Sequence, residues 1–137
     1  MNNRKRLMGS IVVGVVLVSA VLAWADQRGE KPKPKSVKID MSSTADMRVL
    51  GGPPETLTMR SGSVVLLPSK SVGTHNTGDY EEAVVVLAGQ GEMRLADGTV
   101  LRLTPHVVAY CPPGTEHDVT NTGTEPLRYV YVVAKAR

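Results

Sequence analysis

Phenylalanine is absent from this chain, tryptophan occurs once, and aromatic residues make up only 4% of 137 residues. A core must therefore be assembled from Val and Leu, and a surface of interleaved aromatics and cations, as single-stranded nucleic-acid binders use, is not available. One cysteine, Cys111, excludes an intramolecular disulfide, so packing alone has to hold the fold. Cys111 itself reads as a small buried apolar residue on a strand. No long stretch repeats its apolar residues at the helical period, which excludes a helical bundle.

The basic excess is confined as well. The net charge is +3, and residues 1–25 hold three of the 16 Lys and Arg with no acid, leaving 13 basic against 13 acidic residues. Residues 37–137 carry 9 basic and 11 acidic residues. A folded domain without a cationic surplus argues against nucleic acid as a partner.

What is present begins with Arg4, Lys5 and Arg6, an apolar run from Leu7 to Leu22, and the small-x-small triplet Ala23-Trp24-Ala25. Residues 1–25 read as a signal peptide, with the mature chain starting at Asp26 in a secreted or periplasmic protein. The other reading is an uncleaved inner-membrane anchor facing the periplasm, because 19 residues from Leu7 to Ala25 are close to a spanning length. Membrane contact is expected only through such an uncleaved leader. Residues 26–36, centred on Lys31-Pro-Lys-Pro-Lys35, are charged, proline-rich and free of apolar side chains, and read as a flexible linker.

From residue 37 onward short runs rich in Val, Leu, Thr and Tyr alternate with turn residues. The runs are Met47–Leu50, Thr56–Met59, Ser63–Leu67, Glu82–Ala88, Glu92–Leu95, Thr99–Leu103, Val107–Cys111, His117–Thr120 and Leu127–Ala134. Gly51-Gly-Pro-Pro54, Gly89-Gln-Gly91, Ala96-Asp-Gly98 and Pro112-Pro-Gly114 punctuate them. An all-β sandwich or barrel follows. The unbroken Val84–Leu87 run predicts a strand buried on both faces.

Two stretches carry the chemistry. Gly73-Thr-His75-Asn-Thr77-Gly-Asp-Tyr-Glu-Glu82 is followed, after six intervening residues, by Gly89, and Pro112-Pro-Gly114-Thr-Glu-His117 is followed, after three intervening residues, by Asn121. Together they resemble the two signature motifs of the cupin superfamily, His-x-His, three or four residues, Glu, six residues, Gly, and Pro-x-Gly, two residues, His, three residues, Asn. Taking Glu81 as the motif acid would put Ala88 in the glycine slot, so Glu82 is the matching carboxylate. Thr77 stands where the second histidine is usual, and His106 where a leading glycine is usual. The resemblance covers residues 37–137 and is to small single-domain cupins of the conserved-barrel type.

That resemblance implies a double-stranded β-helix, the cupin jelly-roll barrel, with His75, Glu82 and His117 as ligands of one divalent metal ion. Two imidazoles and one carboxylate accept Fe, Mn, Ni or Zn without choosing among them. Water is expected in the position Thr77 leaves, with Thr77 orienting it or a substrate. Tyr110 is a second candidate for the pocket, while Tyr129 and Tyr131 share one face of the last strand, inward or outward. Asp79, Tyr80 and His106 read as solvated loop residues. Gly114 is expected in a turn with positive φ, and Asn121 to tie its loop to backbone. The implied function is metal-dependent chemistry on a small molecule, as a dioxygenase, lyase or isomerase, or binding of a small molecule or sugar without chemistry. Cupins commonly pair through sheet edges, so a homodimer is expected.

Overall fold

Frequent Gly, Pro and Asx turns leave β-branched runs no room for anything longer than short strands. The structure is a computed structural model that describes residues 31–137, so the expected leader and residues 26–30 of the linker lie outside the described residues. Residues 31–36 carry no regular secondary structure, and Lys35 is ion-paired to Glu55.

The strands are β1 (Met47–Gly51), β2 (Arg60–Leu66), β3 (His75–Asn76), β4 (Tyr80–Ala88), β5 (Gly91–Leu95), β6 (Val100–Leu103), β7 (Val108–Cys111), β8 (Glu116–Asn121) and β9 (Leu127–Lys135). They form a five-stranded sheet, β1-β2-β9-β4-β7, facing a four-stranded sheet, β3-β8-β5-β6, with every pairing antiparallel. This is the all-β jelly roll expected. Among the described residues there is no helix. Two details differ. Thr56–Met59 forms bends after the Pro53-Pro54 turn and not a strand, and the two-residue β3 has no counterpart among the expected runs.

Register fixes which side chains face inward. Across the larger sheet, Leu66 stands opposite Leu127, and the next inward rows are Val64-Tyr129-Val86, Gly62-Tyr131-Val84-Ala109 and Arg60-Val133-Glu82-Cys111. Across the smaller sheet the rows are Asn121-Gly91-Leu103 and Val119-Met93-Leu101, then His75-His117-Leu95. Apolar residues therefore collect at one end of the barrel, and the polar rows face each other at the opposite end. Leu103, Leu127, Met93 and Val84 have no exposed surface. Val84 and Val86 are buried, but Val85 and Leu87 between them are only half-buried, so the expected double burial of β4 is replaced by ordinary alternation.

The closed end is tied by Asn121, which is 1% exposed. Its Nδ2 donates to the carbonyls of Leu66 (2.8 Å) and Glu125 (2.9 Å), and its Oδ1 accepts from the Gly123 amide at 2.9 Å. The Leu66 bond crosses from one sheet to the other. Gly89, the motif glycine, has φ +81°, and a Cβ there would stand 2.4 Å from the Pro126 carbonyl oxygen. Only glycine fits that turn against the start of β9.

Candidate metal centre

β3 is short because it runs beside β8 without a full ladder. The bonds Asn121 N to Lys70 O and Val72 N to Val119 O, with the bridge between Ser71 and Thr120, bring the segment along the edge of β8. It ends with His75 directly opposite His117. The two rings sit with centroids 4.3 Å apart, tilted by 56°. Glu82 reaches the same point from β4 in the larger sheet. The histidines are cross-strand neighbours, and the carboxylate comes across the sandwich.

Each imidazole is held by its Nδ1. His75 Nδ1 bonds the Gly73 carbonyl at 2.9 Å, and His117 Nδ1 bonds the Thr115 carbonyl at 3.3 Å. A carbonyl only accepts, so each Nδ1 carries the proton and each Nε2 presents a lone pair. Metal-binding histidines are oriented by such bonds. His117 Nε2 is buried and has no hydrogen-bond partner, while Glu82 Oε2 stands 3.5 Å away, too far for a good hydrogen bond. Leaving a buried polar atom unsatisfied costs about 1–3 kcal/mol, which a bound cation would offset.

One atom from each of His75, Glu82 and His117 lies within 4.8 Å of the others. Tetrahedral bonds of about 2.0–2.2 Å place ligand atoms about 3.3–3.6 Å apart, so closing on an ion takes a side-chain movement of roughly 1 Å, within reach of the exposed His75. The residues fit a divalent ion. In the free site, the neighbouring Glu82 carboxylate raises the His117 pKa above its ordinary value, against burial, which lowers it.

His75 and Glu82 border a cavity of about 450 Å³, lined also by Arg60, Val64, Tyr80, Val119, Tyr129 and Tyr131, and His117 lies behind them. His75 is exposed at its mouth, whereas Glu82 and His117 are buried. Thr77 lines this cavity too, but its hydroxyl is already engaged. It donates to the Pro112 carbonyl and accepts from the Thr115 amide, both at 2.8 Å. The Thr77 hydroxyl thereby clamps the two motif loops together. Thr77→Val keeps the shape and strands both backbone groups, so it should cost about 1–3 kcal/mol of stability in chemical denaturation, with divalent-ion affinity changed less than in a ligand variant.

Tyr110 does not reach the cavity. Ala109 and Cys111 on either side face the core, so Tyr110 points out, is 55% exposed, and donates to Glu81 Oε2 at 3.1 Å. Cys111 is fully buried against Met93, and burial, followed by the Glu82 charge, pushes its thiol pKa up, as an unreactive core residue requires. His106 is exposed in its turn, and Gly114 has the expected positive φ. Sequence reasoning missed Arg60 and left Tyr80 as a loop residue, although Tyr80 opens β4 and lines the cavity. Period-2 alternation back from the buried Leu66 and Val64 was the signal for Arg60.

A profile for the cupin domain matches residues 55–133. The chain belongs to the cupin family. Its fold is similar to a cupin 2 conserved barrel domain protein from Salinispora arenicola, at 23% identity over 76% of this chain and 91% of that one, TM-score 0.62. It is also similar to an RmlC-like cupin family protein with a double-stranded β-helix fold from Methanocaldococcus jannaschii, at 14% identity over 74% and 91%, TM-score 0.61. Against the Cnp3 cupin domain of Schizosaccharomyces pombe the identity is 19% and the TM-score 0.59, over 66% of this cupin and 63% of the length of that chain. No curated protein matches the sequence significantly.

Proposed function

We propose that this cupin holds one divalent metal ion between His75, Glu82 and His117 and presents it to a small molecule in the adjoining cavity. The observation that carries this is the buried, partnerless Nε2 of His117, in a group where one ligand atom each of His75, Glu82 and His117 lies within 4.8 Å of the others. When bound, an ion of iron, manganese, nickel or zinc supplies Lewis acidity or oxygen activation, the capacity of metal-dependent oxidoreductases, lyases and isomerases. Val64, Val119 and Val133 give the cavity an apolar wall. Burial and the Glu82 charge push the Tyr129 pKa far up, so that phenol donates a hydrogen bond and does not act as a base.

The second reading is a binding module without chemistry. Thr77 favours it, because a hydroxyl committed to backbone leaves the centre one imidazole short. Thermal shift with a panel of small acids and sugars, before and after chelator treatment, separates the two. Stabilisation that disappears with the metal supports the first reading, and stabilisation that survives chelation supports the second.

We also propose a homodimer through the β7 edge of the larger sheet, where Val108 and Tyr110 are 62% and 55% exposed. Val108→Glu should convert a dimer to a monomer in sedimentation, and a monomeric wild type would refute it. The leader supports an exported protein. An intact mass beginning at Asp26 is the expected result, and a full-length chain in the membrane fraction would mean an anchor instead.

A further inference from the structure

We propose that the cavity takes its small molecule as a carboxylate, with Arg60 as the residue that receives the anionic end. The inference rests on the cavity being a ligand site, and not on which ion, if any, occupies the three-ligand point.

Arg60 opens β2 in the same inward row as Val133 and Glu82. It is the one Lys or Arg among the cavity's lining residues, and among the described residues it makes no ion pair. Arg60 is exposed at the cavity rim, where Gly52 and Tyr80 flank its side chain. Nε lies 2.9 Å from where a Cβ on Gly52 would stand, and Cζ lies 5.7 Å from the centroid of the Tyr80 ring. A side chain at Gly52 would displace the guanidinium, and the ring face attracts it. A cation without a carboxylate partner, at the rim of an apolar cavity, is a site for an anion.

Its neighbours have the same hydrogen-bonding sense. One residue pair further along, Tyr131 lies over Gly62, its hydroxyl oxygen 2.9 Å from where a Cβ would be, so the absent side chain of Gly62 is what lets the phenol lie against the sheet. Tyr129, one row deeper, stays protonated. The larger sheet thus presents a guanidinium and three phenols, Tyr80, Tyr129 and Tyr131, as donors, and Glu82 is the one carboxylate among the lining residues. Asn76 and Thr77 have side-chain bonds to backbone: Asn76 with Gly114 and Gly78, and Thr77 with Pro112 and Thr115. A wall of donors matches a group that only accepts, and a planar carboxylate fits the guanidinium fork.

Arg60 and Glu82 are two strands apart, roughly 10 Å between backbones at the usual strand spacing. Side chains reaching inward from both leave room for a molecule of modest length. Its carboxylate would sit at Arg60, and its other end would face the His75 and His117 Nε2 atoms.

Calorimetric titration of succinate and benzoate, each against its neutral amide, tests this on wild type, Arg60→Ala and Arg60→Lys, with inorganic phosphate as a further anion. Metal content is measured separately, and each titration is run metal-loaded and after chelation. Wild type should prefer at least one carboxylate over its amide. Arg60→Ala should weaken carboxylate binding about 10- to 100-fold while leaving amide binding, metal content and melting temperature unchanged. Arg60→Lys should fall between the two, since it keeps the charge and loses the fork. Carboxylate affinity that is equal in wild type and Arg60→Ala, no carboxylate binding to wild type, or tighter binding of phosphate would each overturn the assignment. Absence of metal from wild type, with the Arg60 dependence intact, would remove the ion centre and leave the carboxylate site standing.

Discussion

His117→Ala is expected to abolish divalent-ion uptake, lowering affinity by at least about 100-fold. Replacing groups that merely orient a ligand already costs about 10- to 100-fold, so removing the ligand itself sets that range as a floor. The measurement is a pair of melting curves, with and without ion. At an ion concentration about 100 times the wild-type dissociation constant, wild type should gain about 2.7 kcal/mol and the variant no more than about 0.4 kcal/mol. His75→Ala should lose the same gain, and because His75 is exposed it should disturb the metal-free protein little. His106→Ala serves as the control, since His106 lies exposed in a turn and belongs to no ligand cluster. An ion-dependent gain that survives His117→Ala would mean that the ion sits elsewhere.

Asn121→Ala is expected to cost about 3–5 kcal/mol, enough to unfold a marginally stable domain of this size. Three side-chain bonds disappear together: the carbonyls of Leu66 and Glu125 lose the Asn121 donor, and the Gly123 amide keeps only its bond to the Gln90 carbonyl. Each stranded group costs about 1–3 kcal/mol, and the cavity left by a fully buried side chain adds to this. Because the Leu66 bond joins the two sheets at the end away from the metal ligands, the loss should appear as a lower denaturation midpoint. A cost below about 1 kcal/mol would mean that the closed end is held by Leu66, Leu103 and Leu127 alone.

These two residues also mark how far the sequence could be read. Asn121, Gly89, His75, Glu82 and His117 were legible because their spacing is dictated by the barrel, in which loops and strands of set length bring the motif positions to their places. β3 was not, since two exposed residues leaning on β8 through interrupted bonds carry neither alternation nor β-branched enrichment. Thr56–Met59 has the composition of a strand but follows a Pro-Pro turn that bends it away. Direction was the harder matter. A run of period 2 says which residues share a face, not which face is inside. Tyr129 and Tyr131 therefore stayed undecided until register placed them inward, and Tyr110 was assigned to the cavity although Cys111 beside it takes the inward position. Thr77 was read as a missing ligand that served water instead, because the sequence gives no sign that Pro112 and Thr115 come within reach of its hydroxyl.

The most direct test is anomalous diffraction from crystals of the metal-loaded protein, collected at the absorption edge of the ion that it takes up. A single strong peak within about 2.3 Å of His75 Nε2, His117 Nε2 and a Glu82 carboxylate oxygen is the expected result. A featureless map at that point, or a peak coordinated by other residues, would contradict the proposed centre.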